Sequence, residues 1–303
     1  MPTQLPITVQ PPNQSSSLLE EGLPPDRSQV QITYYTDPLC SWSWGLEPQW
    51  RRLRYEFGSQ ISWRYAMGGL LPDWQRFSDP VNDIHRPGQM APQWIQIRQL
   101  VGMPTDESIW REDPPASSYP ACIAVKAAER QGSTAAEVYL RRLREAVMVE
   151  CRNVARREVL LEVAAEVAAD LSSRHTFDVQ QFQYDLDHPA SLEAFREDVK
   201  EGRYLGISRF PALVFRGVTG KALLIVGYRP YPVLVDAIAS LTPNTRPLQE
   251  ATDVVSYVRH WDRITATEVA VALNLPLEET QHRLAAAVSD GSLRQIGSIY
   301  QGQ

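Results

Sequence analysis

The stretch Thr36-Asp37-Pro38-Leu39-Cys40-Ser41-Trp42-Ser43-Trp44-Gly45-Leu46-Glu47-Pro48 decides how this chain is read. Just before it, Val30, Ile32 and Tyr34 alternate with Gln31 and Thr33, the period of a strand with one buried face, and Asp37-Pro38 breaks that strand. From Cys40 onward Leu46, Trp50, Leu53 and Phe57 recur at helical spacing until Gly58 supplies a stop. A cysteine between a strand and a helix start lies where unpaired backbone N–H groups and the helix dipole favour negative charge. Cys40 is therefore the expected nucleophile and the expected fastest thiol to alkylate, with Ser43 donating a hydrogen bond to its thiolate. Trp42, inside the C-x-x-S turn, is expected to grip an apolar substrate side chain, and Trp44 to pack in the core. Glu47 reads as a proton carrier beneath the thiol, as a solvated helix residue or as a structural ion-pair partner.

Outward from this segment, Ile61–Met67 reads as a second strand ended by Gly68-Gly69. Residues 71–205 hold no convincing strand and several helical stretches, at 121–131, 135–151 and 156–171. Strand chemistry returns at 212–215 and at Ala222–Val226 across a glycine turn at 217–220, and Tyr231–Leu241 reads as a closing helix. Phe210-Pro211 lies just ahead of the third strand, where a cis proline would place a backbone edge beside the thiol for an extended segment to pair with. One sheet interrupted by a helical insertion follows. The run Thr242-Pro243-Asn244-Thr245-Arg246-Pro247 reads as a linker.

Composition sets the outer bounds. At 303 residues, 43% hydrophobic and 22% charged, the chain is long enough for two globular domains and a tail. Six prolines among Ser, Gln and Asn make residues 1–27 a disordered leader by expectation. That leader has neither a basic n-region nor an apolar h-region, so a cytoplasmic protein is expected. Net charge −6 argues against a polyphosphate partner, and no apolar run approaches the length of a membrane helix. Cys40, Cys122 and Cys151 form neither a disulfide framework nor a CxxC metal site. Cys122 and Cys151 sit in apolar helical patterns and read as core fillers. His85, His175, His188, His260 and His282 show no paired ligand spacing, so no metal is assigned.

Over residues 29–241 the chain resembles the DsbA family of thioredoxin-fold proteins. The resemblance rests on Asp37-Pro38-Leu39-Cys40 with Trp44 and Leu46-Glu47-Pro48, a string similar to the cytosolic branch of FrnE-like proteins and YjbH-type adaptors of the ClpXP protease. Ser118-Tyr119-Pro120-Ala121-Cys122 resembles the opening of a helix in that family's insertion, and Phe210-Pro211-Ala212-Leu213-Val214-Phe215 its cis-proline strand. The resemblance implies an α/β, thioredoxin-like (DsbA-type) fold with a helical insertion at about 71–205 inside a domain spanning 28–244. It also implies a groove between the Cys40 helix and the Pro211 loop, used for thiol–disulfide chemistry or protein capture.

The family's redox motif is CxxC, and here Ser43 holds the second position, where a hydroxyl cannot resolve a mixed disulfide. Three readings stay open. The leading one is a monothiol oxidoreductase or isomerase exchanging disulfides through Cys40. The others are a glutathione-using enzyme like the kappa-class transferases and a non-enzymatic adaptor delivering a protein partner to ClpXP; no cofactor is assigned, and the use of glutathione, by a transferase or by the monothiol, stays open. Sites implied are Cys40 and Ser43 for chemistry, and Trp42, Phe210 and Pro211 for substrate.

Residues 249–303 read helix, turn, helix, hairpin and resemble a winged helix-turn-helix. Four arginines stand against seven acids there, and Glu278-Glu279 opens the would-be recognition helix. No DNA partner is expected for so acidic a face, and a protein-interaction or structural role is.

Overall fold

The computed structural model describes residues 7–9, 29–170 and 176–303. Five strands form the main sheet in the order β1-β5-β4-β2-β3, with β1 Ile7–Val9, β2 Val30–Thr36, β3 Ile61–Met67, β4 Ala212–Gly217 and β5 Ala222–Val226. Helix α1, Ser41–Phe57, follows β2 directly. The chain then runs through α2 Ala91–Val101, α3 Ile109–Glu112, α4 Tyr119–Glu129, α5 Ser133–Met148, α6 Arg157–Asp170, α7 Val179–Asp187 and α8 Pro189–Tyr204 before it returns to the sheet. This is the α/β architecture with a helical insertion that the sequence predicts. Of the leader expected to be disordered, Ile7–Val9 forms β1, antiparallel on β5 with Ile7 opposite Leu224 and Val9 opposite Ala222. The remainder of 1–27 lies outside the described residues.

The described chain divides into two compact units. One holds Tyr35–Gly45 and Tyr65–Pro211, so the Cys40 turn and helices α2 to α8 belong together. Its hub is α4, where Ala121, Cys122, Ala124, Val125, Ala127 and Ala128 are all buried and α5, α7 and α8 pack around them. Small side chains at these positions let neighbouring helices approach closely at interior packing density. Helix α5 stops at Met148 rather than running to 151: Cys151 takes a left-handed φ of 53° and is half-buried, so it is a post-helix residue and not the core filler expected.

The other unit holds the first part of β2 through Tyr34, Leu46–Arg64 and Ala212–Gln303. The β4–β5 hairpin pairs Ala212 with Val226 and Arg216 with Ala222, and α9, Tyr231–Leu241, packs on β4. The C-terminal segment forms α10 Val254–Trp261, β6 Ile264–Thr265, α11 Ala266–Leu273, α12 Leu277–Ser289, β7 Leu293–Ile296 and β8 Ile299–Gly302, its strands ordered β6-β8-β7. Thr265 and Glu268 close a capping box at the start of α11, each side chain satisfying the other's backbone N–H. Val254, Tyr257, Val258, Ile264, Val269, Leu284, Leu293 and Tyr300 are its core, against which Tyr55 of α1 packs.

Candidate functional site

Cys40 is the residue before α1: its N–H bonds the Asp37 carbonyl at 3.1 Å and its own carbonyl accepts from Trp44 N–H at 3.1 Å. The turn through Asp37, Pro38 and Leu39 is therefore what aims the thiol. The Cys40 side chain is only 6% exposed. Sγ lies 3.5 Å from the Phe210 carbonyl, to which the thiol donates, and accepts from the Ser43 N–H at 3.4 Å. The Phe210–Pro211 peptide is cis, as expected. The structure thus brings Cys40, Ser43 and Phe210 together, with Pro211 buried beside them, Ser43 buried, and Trp42 and Phe210 half-buried.

The ionisation of Cys40 departs from expectation. Burial, the largest cause, pushes its thiol above the ordinary value, and the negative charge of Asp37 pushes the same way; hydrogen bonds from Ser43 and the Arg144 charge pull it down without prevailing. The hydrogen bond to the Phe210 carbonyl adds to this, because only the neutral thiol has a proton to donate. Desolvation here outweighs the helix terminus.

Asp37 is a residue the sequence reading passed over. Fully buried, it accepts four hydrogen bonds: from Leu39 N–H on Oδ1 at 2.9 Å, and on Oδ2 from Leu70 N–H at 2.7 Å, the Ser118 hydroxyl at 2.8 Å and the Cys122 thiol at 3.3 Å. Burial, again the largest cause, still pushes its carboxyl above the usual carboxylate range despite these donors. Burial and the neighbouring Asp37 raise the Cys122 thiol well above ordinary. Thr36, the last residue of β2, accepts from Arg144, which is 1% exposed. The string Ser118 to Cys122 is in the sequence, but its meeting with Asp37 joins residues some eighty positions apart, and no local pattern announces it.

Other candidates sort differently. Trp44 is fully buried as expected, its indole N–H donating to the Pro104 carbonyl at 2.8 Å and Arg141 lying over its ring at 4.6 Å. Glu47, 4% exposed, lies 3.6 Å from Arg51, the structural ion pair of the three readings. Gly68 carries the ring of Phe210 directly on its backbone: a Cβ there would fall 2.0 Å from Phe210 Cζ. Among the described residues no group of three or more His, Cys, Asp or Glu could hold a metal, and no helix is long and apolar enough to cross a membrane.

Comparison with known proteins agrees with this geometry. A family model described as Thioredoxin matches residues 34–236. The ClpXP adapter protein SpxH of Halalkalibacterium halodurans is 27% identical over 276 residues, covering 90% of this chain and 88% of that protein. A putative protein disulfide isomerase from Nitrosomonas europaea superposes with a TM-score of 0.57 at 22% identity, covering 71% of this chain and 97% of that one. The cytosolic disulfide reductase DsbM of Pseudomonas aeruginosa does so with a TM-score of 0.50 at 25% identity, covering 64% and 88%. The chain belongs to the thioredoxin family, as a DsbA-fold protein of the YjbH type.

Proposed function

We propose that this protein is a protein-binding adaptor that holds a client polypeptide and presents it to a ClpXP-type protease in the cytoplasm. The observation that carries the reading is the state of Cys40. Its thiol is buried, held in the neutral form by desolvation and by its hydrogen bond to Phe210, and has Ser43 where dithiol chemistry needs a second sulfur. What remains is a surface built to bind. Half-buried Trp42 and Phe210, with the Pro211 edge, offer an extended client apolar contact and backbone pairing. The likeness to a protein named as a ClpXP adapter runs along most of both chains and supports the choice of protease. In this reading residues 28–244 are the client-binding domain, with the insertion at about 71–205, and the winged-helix-like module at 249–303 is a protein-facing surface rather than a DNA-facing one.

A second reading is favoured by the likeness to DsbM: monothiol exchange, in which the Cys40 thiolate attacks a client disulfide. One mixed disulfide forms, one client thiolate leaves, and a second thiol such as glutathione must release the client. A pull-down with the wild type and Cys40→Ala side by side separates the two. Partners captured equally by both, and then degraded faster by purified ClpXP when the protein is added, are the expected result. Partners lost in Cys40→Ala and released from the wild type by dithiothreitol would overturn the adaptor reading in favour of exchange.

A further inference from the structure

Beside the Cys40 site lies a cavity of ≈ 340 Å³ lined by Tyr119, Phe195, Arg196, Val199, Lys200 and Arg203. Two different chemistries meet in it. Tyr119 and Phe195 form an edge-to-face aromatic floor, centroids 4.9 Å apart, with Val199 one turn along α8. Arg196, Lys200 and Arg203, spaced four and three residues apart on that helix, form an exposed cationic rim. Glu193 holds Arg196 at 2.5 Å and Glu197 holds Lys200 at 3.5 Å; both pairs are solvent-exposed, worth little, and readily exchanged for another carboxylate. The cavity lining holds three cations and no carboxylate, whereas the acids of α8, Glu193, Glu197, Asp198 and Glu201, lie outside that lining.

The cavity also abuts the site already described. Phe210 lies on Gly68, while a Cβ on Gly69, whose φ is +64°, would meet Tyr119 at 2.9 Å and Phe195 at 3.0 Å. Consecutive residues, about 3.8 Å apart, thus support the Phe210 ring on one hand and the aromatic floor on the other. Tyr119 in turn follows Ser118, the hydroxyl that bonds Asp37.

We propose that this cavity is a docking site for an acidic client segment carrying a large apolar side chain, the apolar group on Tyr119 and Phe195 and its flanking carboxylates on Arg196, Lys200 and Arg203. The proposal deepens the adaptor reading by giving the client a chemistry. A cavity of this size is at the small end of ligand pockets, roughly 300–1,000 Å³, matched to one side chain rather than to a cofactor. Cations above an aromatic floor select a carboxylate next to an apolar group over either alone, and exposed charges steer its approach.

The test is fluorescence anisotropy on the full chain, with a short fluorescein-labelled peptide of alternating glutamate and phenylalanine and a lysine–phenylalanine control. The glutamate peptide is expected to bind at low salt, to weaken as salt rises, and to lose affinity roughly tenfold or more in Arg196→Glu/Lys200→Glu/Arg203→Glu. These three side chains are exposed, so the variant is expected to keep the wild-type unfolding curve. Arg196→Gln/Lys200→Gln/Arg203→Gln is expected to fall between. Equal binding of the two peptides, or unchanged binding in the glutamate variant, would overturn the proposal. So would displacement of the peptide by single-stranded RNA at lower concentration than by unlabelled peptide, which would assign the rim to nucleic acid. The pull-down above fails independently: peptide binding that stands while protein capture requires Cys40 sinks the adaptor reading alone.

Discussion

At the scale of single residues, two buried groups set the character of the site. Asp37 has three donors on Oδ2 and one on Oδ1, two of them backbone N–H groups that cannot turn away. In Asp37→Asn either orientation of the amide points its NH₂ at one of those N–H groups. One buried donor then loses its acceptor, and the variant should be about 1–3 kcal/mol less stable in urea unfolding. The sign of the pH effect follows from the same burial. Because the folded carboxyl titrates above its unfolded value, its contribution to stability is full below the unfolded pKa and is lost as pH rises through the folded one. The thiols give a second check. Half-buried Cys151 should alkylate first, Cys40 more slowly and fully buried Cys122 last. Cys40 labelling should keep accelerating with pH beyond the point where an exposed thiol levels off. Brief iodoacetamide treatment followed by mass spectrometry reads all three, and preferential labelling of Cys40 at neutral pH would contradict the burial argument.

At the scale of elements, the end of β3 and the start of α11 show how one small residue or one cap fixes geometry. Gly68 is where the sheet lets the Phe210 ring lie on bare backbone, and its N–H bonds the Thr36 carbonyl at 2.7 Å. Gly68→Ala must displace that ring, at a cost typical of overpacking, about 1–3 kcal/mol. It should also weaken client capture in the pull-down, since the moved residue carries the carbonyl that holds the Cys40 thiol. Thr265→Ala removes half of the capping box on α11 and should cost about 0.5–2 kcal/mol, read as a lower urea midpoint. The sequence pattern located Gly68-Gly69 as a strand stop and the helix-turn-helix run to which α11 belongs. Which aromatic ring would lie on that glycine was not in the pattern, because Phe210 is far away in the chain.

At the scale of the molecule, residues 249–303 read in sequence as a separate module after a linker, yet the structure ties them to α1. Arg51 lies 3.3 Å from Glu268, whose side chain is fully buried, and donates to the Arg263 carbonyl at 2.6 Å. Arg52 donates to the Val271 carbonyl at 2.9 Å, Arg54 lies over the Trp261 ring at 4.9 Å, and Tyr55 stacks edge-on to Tyr257 at 5.0 Å. Three arginines within one turn of a helix, Arg51, Arg52 and Arg54, look in sequence like an ordinary solvated face. Here Arg51 meets the Glu268 carboxylate, Arg52 a backbone carbonyl and Arg54 an indole ring, all in the C-terminal segment. Arg51→Met should cost roughly 3–5 kcal/mol, because it removes the cation that lies 3.3 Å from the buried Glu268 carboxylate. Arg51→Met/Glu268→Gln should recover part of that loss. Hydrogen exchange over 254–303 should speed up in the single variant and recover in the double one; equal exchange in all three would show the pair to be without consequence.

Local sequence determined what local physics controls. The alternation of Val30, Ile32 and Tyr34 set β2, the Asp37-Pro38 turn ended it, and the spacing of Leu46, Trp50, Leu53 and Phe57 set α1. The length of helical pattern between the strands set the insertion. These depend on neighbours within a few residues, so periodicity reveals them. The tertiary structure alone decided the ionisation of Cys40, the four donors on Asp37, the buried partner of Arg51 and the meeting of Tyr119 with Phe195 in the α8 cavity. Each depends on desolvation or on contacts between residues distant in sequence. A helix terminus visible in sequence favours a thiolate, but only the packed neighbours determine how much water the sulfur keeps, and at Cys40 that loss of water wins.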